Sequence, residues 1–313
     1  MRSLVAETRL GVDDLVAPLF VREGITEPQP IRSLPGVFQH TVESLRKEVS
    51  ELRGVGVKGV ILFGVPATKD DVGSGAFDPN GIVQVALRHL HSDMGDDMVL
   101  MADLCVDEYT SHGHCGVLDA RGDVDNDATL EIYGQAAVAQ AEAGAHLTAP
   151  SGMMDGQVAA IRAALDSAGH AHIPILAYSA KYASGLYGPF RDAVDVRIAG
   201  GGDRKGYQQD WANVREAMTE VQLDIDEGAD MVMVKPAITY LDVIAKVRAR
   251  TNKPIAAYHV SGEYAMLKAA AANGWIDGDV VALEQLTAVK RAGADMILTY
   301  LAKEVAVLLG GSR

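Results

Sequence analysis

Eight short apolar runs recur along the chain, each bounded by Gly, Pro or Asp: LVAPLFV (15–21), GVILFGV (59–65), MVLMADLCV (98–106), AHLTAPS (145–151), PILAYSAKY (174–182), DMVMVKPA (230–237), PIAAYHVSG (254–262) and DMILTYLA (295–302). None alternates apolar with polar. Near-continuous hydrophobicity over so few residues is what a parallel strand covered on both faces requires. Parallel neighbours need crossover connections, and helical periodicity lies between most of the runs. In 41–56, Val42, Leu45, Val49 and Leu52 fall on one helical face. The spacing predicts further helices over 128–144, 156–169, 213–228, 240–250, 262–274 and 282–293.

One junction repeats. Ala143-Gly144-Ala145-His146, Glu227-Gly228-Ala229-Asp230 and Ala292-Gly293-Ala294-Asp295 each close a helix and open a strand. Glycine suits the left-handed position after a helix C-terminus. A βα unit used this often, with eight strands, implies a (β/α)8 TIM barrel forming a single domain over 1–313. A doubly wound sheet normally has fewer strands and a phosphate loop. Gly200-Gly201-Gly202 follows no strand and is not G-x-G-x-x-G, so a dinucleotide site is rejected. The longest interruption, 183–212, falls between the fifth and sixth strands. In a compact barrel such a loop is expected to be an active-site lid rather than a disordered insertion.

Composition narrows the partners. Lys plus Arg is 28 against 42 Asp plus Glu, a net charge of −14. Such a chain repels phosphate backbones, so nucleic acid is not an expected partner. No apolar run approaches the ~20 residues that cross a bilayer, and the start lacks the apolar core of a secretory signal. Two cysteines make no disulfide scaffold, and a reducing, cytoplasmic setting is expected.

Barrel active sites lie at the C-terminal ends of the strands. Those ends offer Asp103 with Cys105, Ser151, Lys181, Lys235, Tyr258 with Ser261, and Tyr300. Burial at a strand end favours the uncharged form of an amine, so both Lys181 and Lys235 are expected to be neutral nucleophiles toward a carbonyl. They end neighbouring strands, so one cavity can hold both. The loop DLCVDEYTSHGHCG (103–116) collects Cys105, Asp107, His112, His114 and Cys115, donors that suit zinc, although no C-x-x-C pair is present. Arg191, Arg197, Arg204 and Lys205 lie in the lid, where arginines can clamp a carboxylate.

Here the motifs become specific. SHGHCG (111–116), APSGMMDG (149–156), YSAKYAS (178–184), YGPFRDA (187–193), GDRKGYQ (202–208), MVKPA (233–237), YHVSGEY (258–264) and AGADMILTY (292–300) together resemble the porphobilinogen synthase (5-aminolevulinate dehydratase) family, over essentially the whole chain. The resemblance implies a lyase that condenses two 5-aminolevulinate molecules into porphobilinogen with loss of two waters. It implies Schiff bases on Lys235 for the first substrate and Lys181 for the second. Arg191, Arg204 and Gln208 match holders of the second carboxylate, and Ser261 and Tyr300 holders of the first. Asp103 and Ser151 match groups near an amine, and Tyr258 lies beside them at a strand end. The metal loop implies zinc on Cys105, Asp107 and Cys115, and Glu220 matches an allosteric magnesium position. A homo-octamer is the implied assembly. Three departures stand out: Asp107 replaces the middle of three cysteines, Gly152 replaces an acidic residue, and the arginine-rich N-terminal arm is expected to be shortened. Two other readings remain, a single-lysine aldolase on the same barrel and a metal- or metabolite-binding barrel without catalysis.

Overall fold

The computed structural model describes residues 1–310; Gly311–Arg313 lie outside the described residues. Eight strands form the wall: β1 (Leu15–Arg22), β2 (Gly59–Val65), β3 (Val99–Leu104), β4 (Leu147–Pro150), β5 (Leu176–Lys181), β6 (Met231–Lys235), β7 (Ile255–His259) and β8 (Met296–Thr299). Seven fall inside their apolar runs, and β1 extends one residue beyond its own, to Arg22. Their spatial order is β4-β3-β2-β1-β8-β7-β6-β5, all parallel. A parallel bridge between Thr148 and Ile175 brings β4 against β5 and closes the ring. β2 and β5 are buried along their whole length, as strands with packing on both faces must be.

Helices cover the outside: α1 (Val42–Gly54), α2 (Ile82–Met94), α3 (Asn126–Glu142), α4 (Gln157–Ser167), α5 (Val214–Asp226), α6 (Leu241–Arg248), α7 (Ser261–Ala272), α8 (Gly278–Ala292) and α9 (Ala302–Gly310), besides a short lid helix. Side chains fix several starts. Thr41 accepts from Ser44 N before α1, Asp125 from Ala128 N before α3, and Asp277 from Val280 N before α8. At the repeated junction, Gly144, Gly228 and Gly293 have φ of +98°, +110° and +121°, the conformation that called for glycine.

The sequence reading did not single out α2 or α9. α2 has no side-chain cap at Gly81, so its start carries no polar signal. The run 295–302 was read as one strand, but β8 stops at Thr299. There Leu301 N donates to Thr299 Oγ1 and the chain turns into α9. A small antiparallel ribbon, Gln29–Pro30 with Phe38–His40, also joins β1 and lay below the length at which a strand can be read.

The segment 183–212 is ordered and closed. It contains the short helix Gly188–Ala193, with Pro189 at its first turn. Gln39 Nε2 donates to Ala193 O at 2.7 Å and Phe190 N donates to Ser261 Oγ at 3.0 Å. The Phe190 ring lies 5.1 Å from Phe63 and 5.9 Å from Phe20, plugging the mouth of the barrel.

Candidate active site

β5 carries one more residue than β6 between its paired positions. Ala177 pairs with Val232, but Ala180 pairs with Val234 and Lys181 with Lys235. A slip of one residue in a strand exchanges its faces. The bulge therefore decides that the two lysines share a face. Both are 5% exposed, and both amines approach the same Tyr178 ring, at 5.7 Å for Lys181 and 5.0 Å for Lys235. The two amines therefore lie close together, on one face of the barrel wall.

Their surroundings differ. The Lys235 amine sits 4.4 Å from the Tyr258 ring centre, 5.2 Å from Phe190 and 5.3 Å from Tyr187. Burial in this aromatic box, together with the Lys181 ammonium, lowers its pKa to about 7. Lys181 donates to the backbone oxygen of Ser151. Burial works against its charge too, but Cys115, Cys105, Asp107 and Asp103 outweigh it, and its pKa is raised. The two amines, expected to be alike, are thus pushed in opposite directions by their surroundings. Burial alone does not set the charge of a lysine when acids share its pocket.

Asp103 Oδ2 accepts from Ser151 Oγ at 2.9 Å. Burial lifts the Asp103 carboxyl to about 6, against the pull of Lys235 and Lys181. The hydroxyls of Tyr258 and Tyr300 lie 3.1 Å apart, and Ser261 Oγ reaches Leu186 O at 3.2 Å besides receiving Phe190 N. Ser261 and Tyr300 thus border the Lys235 side. Glu263 braces that side from behind. It accepts from Ile238 N at 2.6 Å, beyond Lys235, and from Val260 N at 2.7 Å, beside Ser261. The sequence reading missed Glu263, Tyr178, Tyr187 and Phe190. Their only signal was membership in the same motifs.

Across the cavity, ligand atoms of Cys105, Asp107 and Cys115 lie within 4.8 Å of one another, all buried. Two sulfurs and one oxygen at that spacing match a zinc site with three protein ligands and an open fourth position, so the donors fit the metal. His112 and His114 do not join them. His112 Nε2 meets Asp71 O and His114 Nδ1 meets Tyr207 Oη. Burial raises the Cys105 thiol. It also opposes ionisation of Cys115, yet the hydrogen bond from Cys105 and the charge of Arg204 leave Cys115 below its ordinary value. Asp107 is held well below the usual carboxylate range. Arg204 leads the groups that overcome its burial, with Nη2 at 2.7 Å from Asp107 Oδ2.

The same lid segment presents two donors with nothing to donate to: Arg204 Nε and Gln208 Nε2 are buried and without a hydrogen-bond partner. Arg191 stands half-buried beside them, its pKa lowered by burial and by Arg204. Arg197 gives its backbone oxygen to the close approach of Gly113. Glu220 is elsewhere. It faces a cavity of about 650 Å³ that the lid's Lys205, Tyr207 and Gln208 line together with Asp155 and Glu216, where burial and those acids raise its pKa. Gly152 has a physical explanation. A Cβ there would lie 1.7 Å from the hydroxyl oxygen of Tyr133, which donates to Cys115 O at 2.6 Å and stands 3.7 Å from Cys105 Sγ.

The fold is a closed (β/α)8 barrel with two register-matched lysines at the C-terminal ends of neighbouring strands. The family model for delta-aminolevulinic acid dehydratase matches residues 1–308, and the chain belongs to that family. The delta-aminolevulinic acid dehydratases of Streptomyces coelicolor and Mycobacterium tuberculosis are each 58% identical over 308 residues, covering 98% of this chain and 93% of theirs. The crystal structure of the Toxoplasma gondii delta-aminolevulinic acid dehydratase, in complex with the reaction product porphobilinogen, superposes with a TM-score of 0.98 at 45% identity. The match covers 100% of this chain and 89% of that one. Among the described residues no helix is long and apolar enough to cross a membrane.

Proposed function

We propose that this chain condenses two 5-aminolevulinate molecules into porphobilinogen, a single pyrrole ring, with loss of two waters. The single observation that carries the residue assignment is the register pairing of Lys181 with Lys235, both buried and both beside the Tyr178 ring. Lys235, with a pKa near 7, has a free amine at neutral pH. Its nitrogen adds to the keto carbon of one substrate and water leaves, forming a Schiff base. Ser261 and Tyr300 receive that substrate's carboxylate. Lys181 takes the second keto group, and Arg191, Arg204 and Gln208 take the second carboxylate. The unpaired donors of Arg204 and Gln208 supply the reason, since a buried donor without an acceptor is costly until one arrives. Asp103, at about 6, can take and return protons between the lysines, with Ser151 orienting it and Tyr258 walling the Lys235 side. Holding both substrates through their carbonyl carbons and carboxylates turns an encounter of two solutes into a local reaction.

Cys105, Asp107 and Cys115 would hold zinc, which when bound supplies Lewis-acid polarisation or a lowered pKa to an adjacent amine or water. Glu220, with Asp155 and Glu216, is assigned to magnesium and regulation, checked by magnesium stimulation that Glu220→Ala abolishes. A homo-octamer and a cytoplasmic location complete the reading, the first checked by sedimentation. The central experiment reduces the protein with borohydride in the presence of 5-aminolevulinate and maps the adduct. Covalent substrate on Lys235 is expected. Unchanged mass, with no porphobilinogen formed, removes the assignment.

A further inference from the structure

Asp107 serves two positive charges. It is the oxygen donor of the Cys105–Asp107–Cys115 cluster, and its Oδ2 also accepts from Arg204 Nη2 at 2.7 Å in a pair whose side chains are 9% and 4% exposed. The same Nη2 donates to Gly113 O at 2.8 Å. A guanidinium on one carboxylate oxygen withdraws charge from the other, and a cation bound by Asp107 would sit close to Arg204 with little solvent to screen them. Arg204 is therefore an electrostatic opponent of any metal on Asp107 while that carboxylate is its ion-pair partner.

The remaining donors of the segment point to what changes this. Gln208 lies one helical turn beyond Arg204, with Gln208 N bonded to Arg204 O at 2.9 Å. Arg204 Nε and Gln208 Nε2 are both buried and unpartnered. An incoming carboxylate satisfies both and brings a negative charge to the guanidinium.

We propose that Arg204 couples the two ligands: a substrate carboxylate docked on Arg204 and Gln208 releases Asp107 to the metal, and metal on Asp107 releases Arg204 to the carboxylate. The proposal rests on the reading of the lid as a carboxylate holder. Linkage makes the coupling reciprocal, so either ligand strengthens the other by the same factor. The oxygen ligand matters here: Asp107 stands where three-cysteine members of the family have a thiolate. A carboxylate is the better partner for a guanidinium fork, so the exchange is built into this loop.

The test measures zinc affinity of the full chain by chelator competition, with and without saturating 4-oxopentanoate, the substrate skeleton without its amine. Zinc is expected to bind about tenfold tighter with the acid present. Without the acid, Arg204→Gln should bind zinc several-fold tighter than the unsubstituted chain. Asp107→Asn should bind zinc weakly but equally with and without the acid, while still forming the borohydride adduct of 4-oxopentanoate at Lys181, the site whose carboxylate Arg204 and Gln208 hold. Equal zinc affinity with and without the acid in the unsubstituted chain, alongside adduct at Lys181, overturns the coupling and leaves the enzymatic reading standing. Looser zinc in Arg204→Gln overturns it as well. Absence of adduct in every form overturns the enzymatic reading itself. Should either variant fail to fold, the comparison in the unsubstituted chain decides alone.

Discussion

The two sides of one cavity treat the same residue type in opposite ways. Around Lys235 stand the rings of Tyr178, Tyr187, Phe190 and Tyr258. Around Lys181 stand Cys115, Cys105 and Asp107, with Asp103 acting on both amines. Rings offer a cation a weak attraction and no solvent, so the charged form of Lys235 is disfavoured and its pKa falls to about 7. Acids and thiols offer the cation partners, so Lys181 keeps its proton. Position on the barrel makes the lysines equivalent, and their neighbours make them unequal. A free amine is the form that adds to a carbonyl, so in the proposed function Lys235 is assigned the first substrate.

Lys235→Ala should break the comparison outright. It removes the neutral amine and leaves the charged one, and turnover is expected to fall on the order of a thousandfold or more. Borohydride trapping with 5-aminolevulinate should be lost at neutral pH. Trapping undiminished, and located on Lys181, would reverse the assigned order.

Lys181→Met sharpens it. Condensation should also fall by orders of magnitude, because the second substrate loses its covalent anchor, but one substrate should still be trapped on Lys235. Substantial turnover would favour a single-lysine aldolase. The pH dependence carries the sign. In the unsubstituted chain, trapping at Lys235 should rise as pH increases through about 7 and level off above it, since deprotonation creates the nucleophile. The Lys181 ammonium helps depress the pKa of Lys235, so in Lys181→Met the rise should move to higher pH. An unmoved midpoint would mean that the two amines do not sense each other.

Glu263→Gln tests the backing of the Lys235 side alone. One carboxylate oxygen facing a backbone N–H becomes an amide donor, and an unsatisfied buried group costs about 1–3 kcal/mol. The loops after β6 and β7 should loosen. The expected result is a raised KM through Ser261 and a lowered melting temperature, with Lys235 still trapped. Unchanged KM with lowered stability would reduce Glu263 to a structural role.

How much of this was legible in the sequence follows from the range of each interaction. Strands were legible because burial on both faces writes itself as an unbroken apolar run, as in GVILFGV. The lysines were legible because they end such runs. Their shared face was not, since it depends on one extra residue between Ala177 and Ala180, and a bulge leaves no mark on hydrophobicity. The charge difference between them was equally hidden. It arises from groups on β3, on the loop after it and on the lid, brought together only by closure of the barrel. Arg204 and Asp107 are 97 positions apart, and neither neighbourhood announces the other. The loop offers five donor residues, of which the family resemblance implies Cys105, Asp107 and Cys115; those three lie together, while His112 and His114 turn to other partners.

The smallest expected effect lies at Gly152, on the Lys181 side, where the family resemblance implies an acidic residue. Tyr133 occupies that space. It is fully buried, and its hydroxyl lies where a Cβ at 152 would come within 1.7 Å. Gly152→Ala must push the ring aside, and overpacking of this kind costs about 1–3 kcal/mol. Displacing the ring also breaks the bond from Tyr133 to Cys115 O, so zinc affinity should fall along with the melting temperature. Tyr133→Phe keeps the ring and loses the hydroxyl, at a cost of about 1 kcal/mol. If the contact at 152 is steric, adding Tyr133→Phe to Gly152→Ala should recover part of the lost stability, because the closest atom is gone. Calorimetry of the four proteins measures the coupling. Strict additivity would show that the glycine is required by its backbone rather than by the tyrosine.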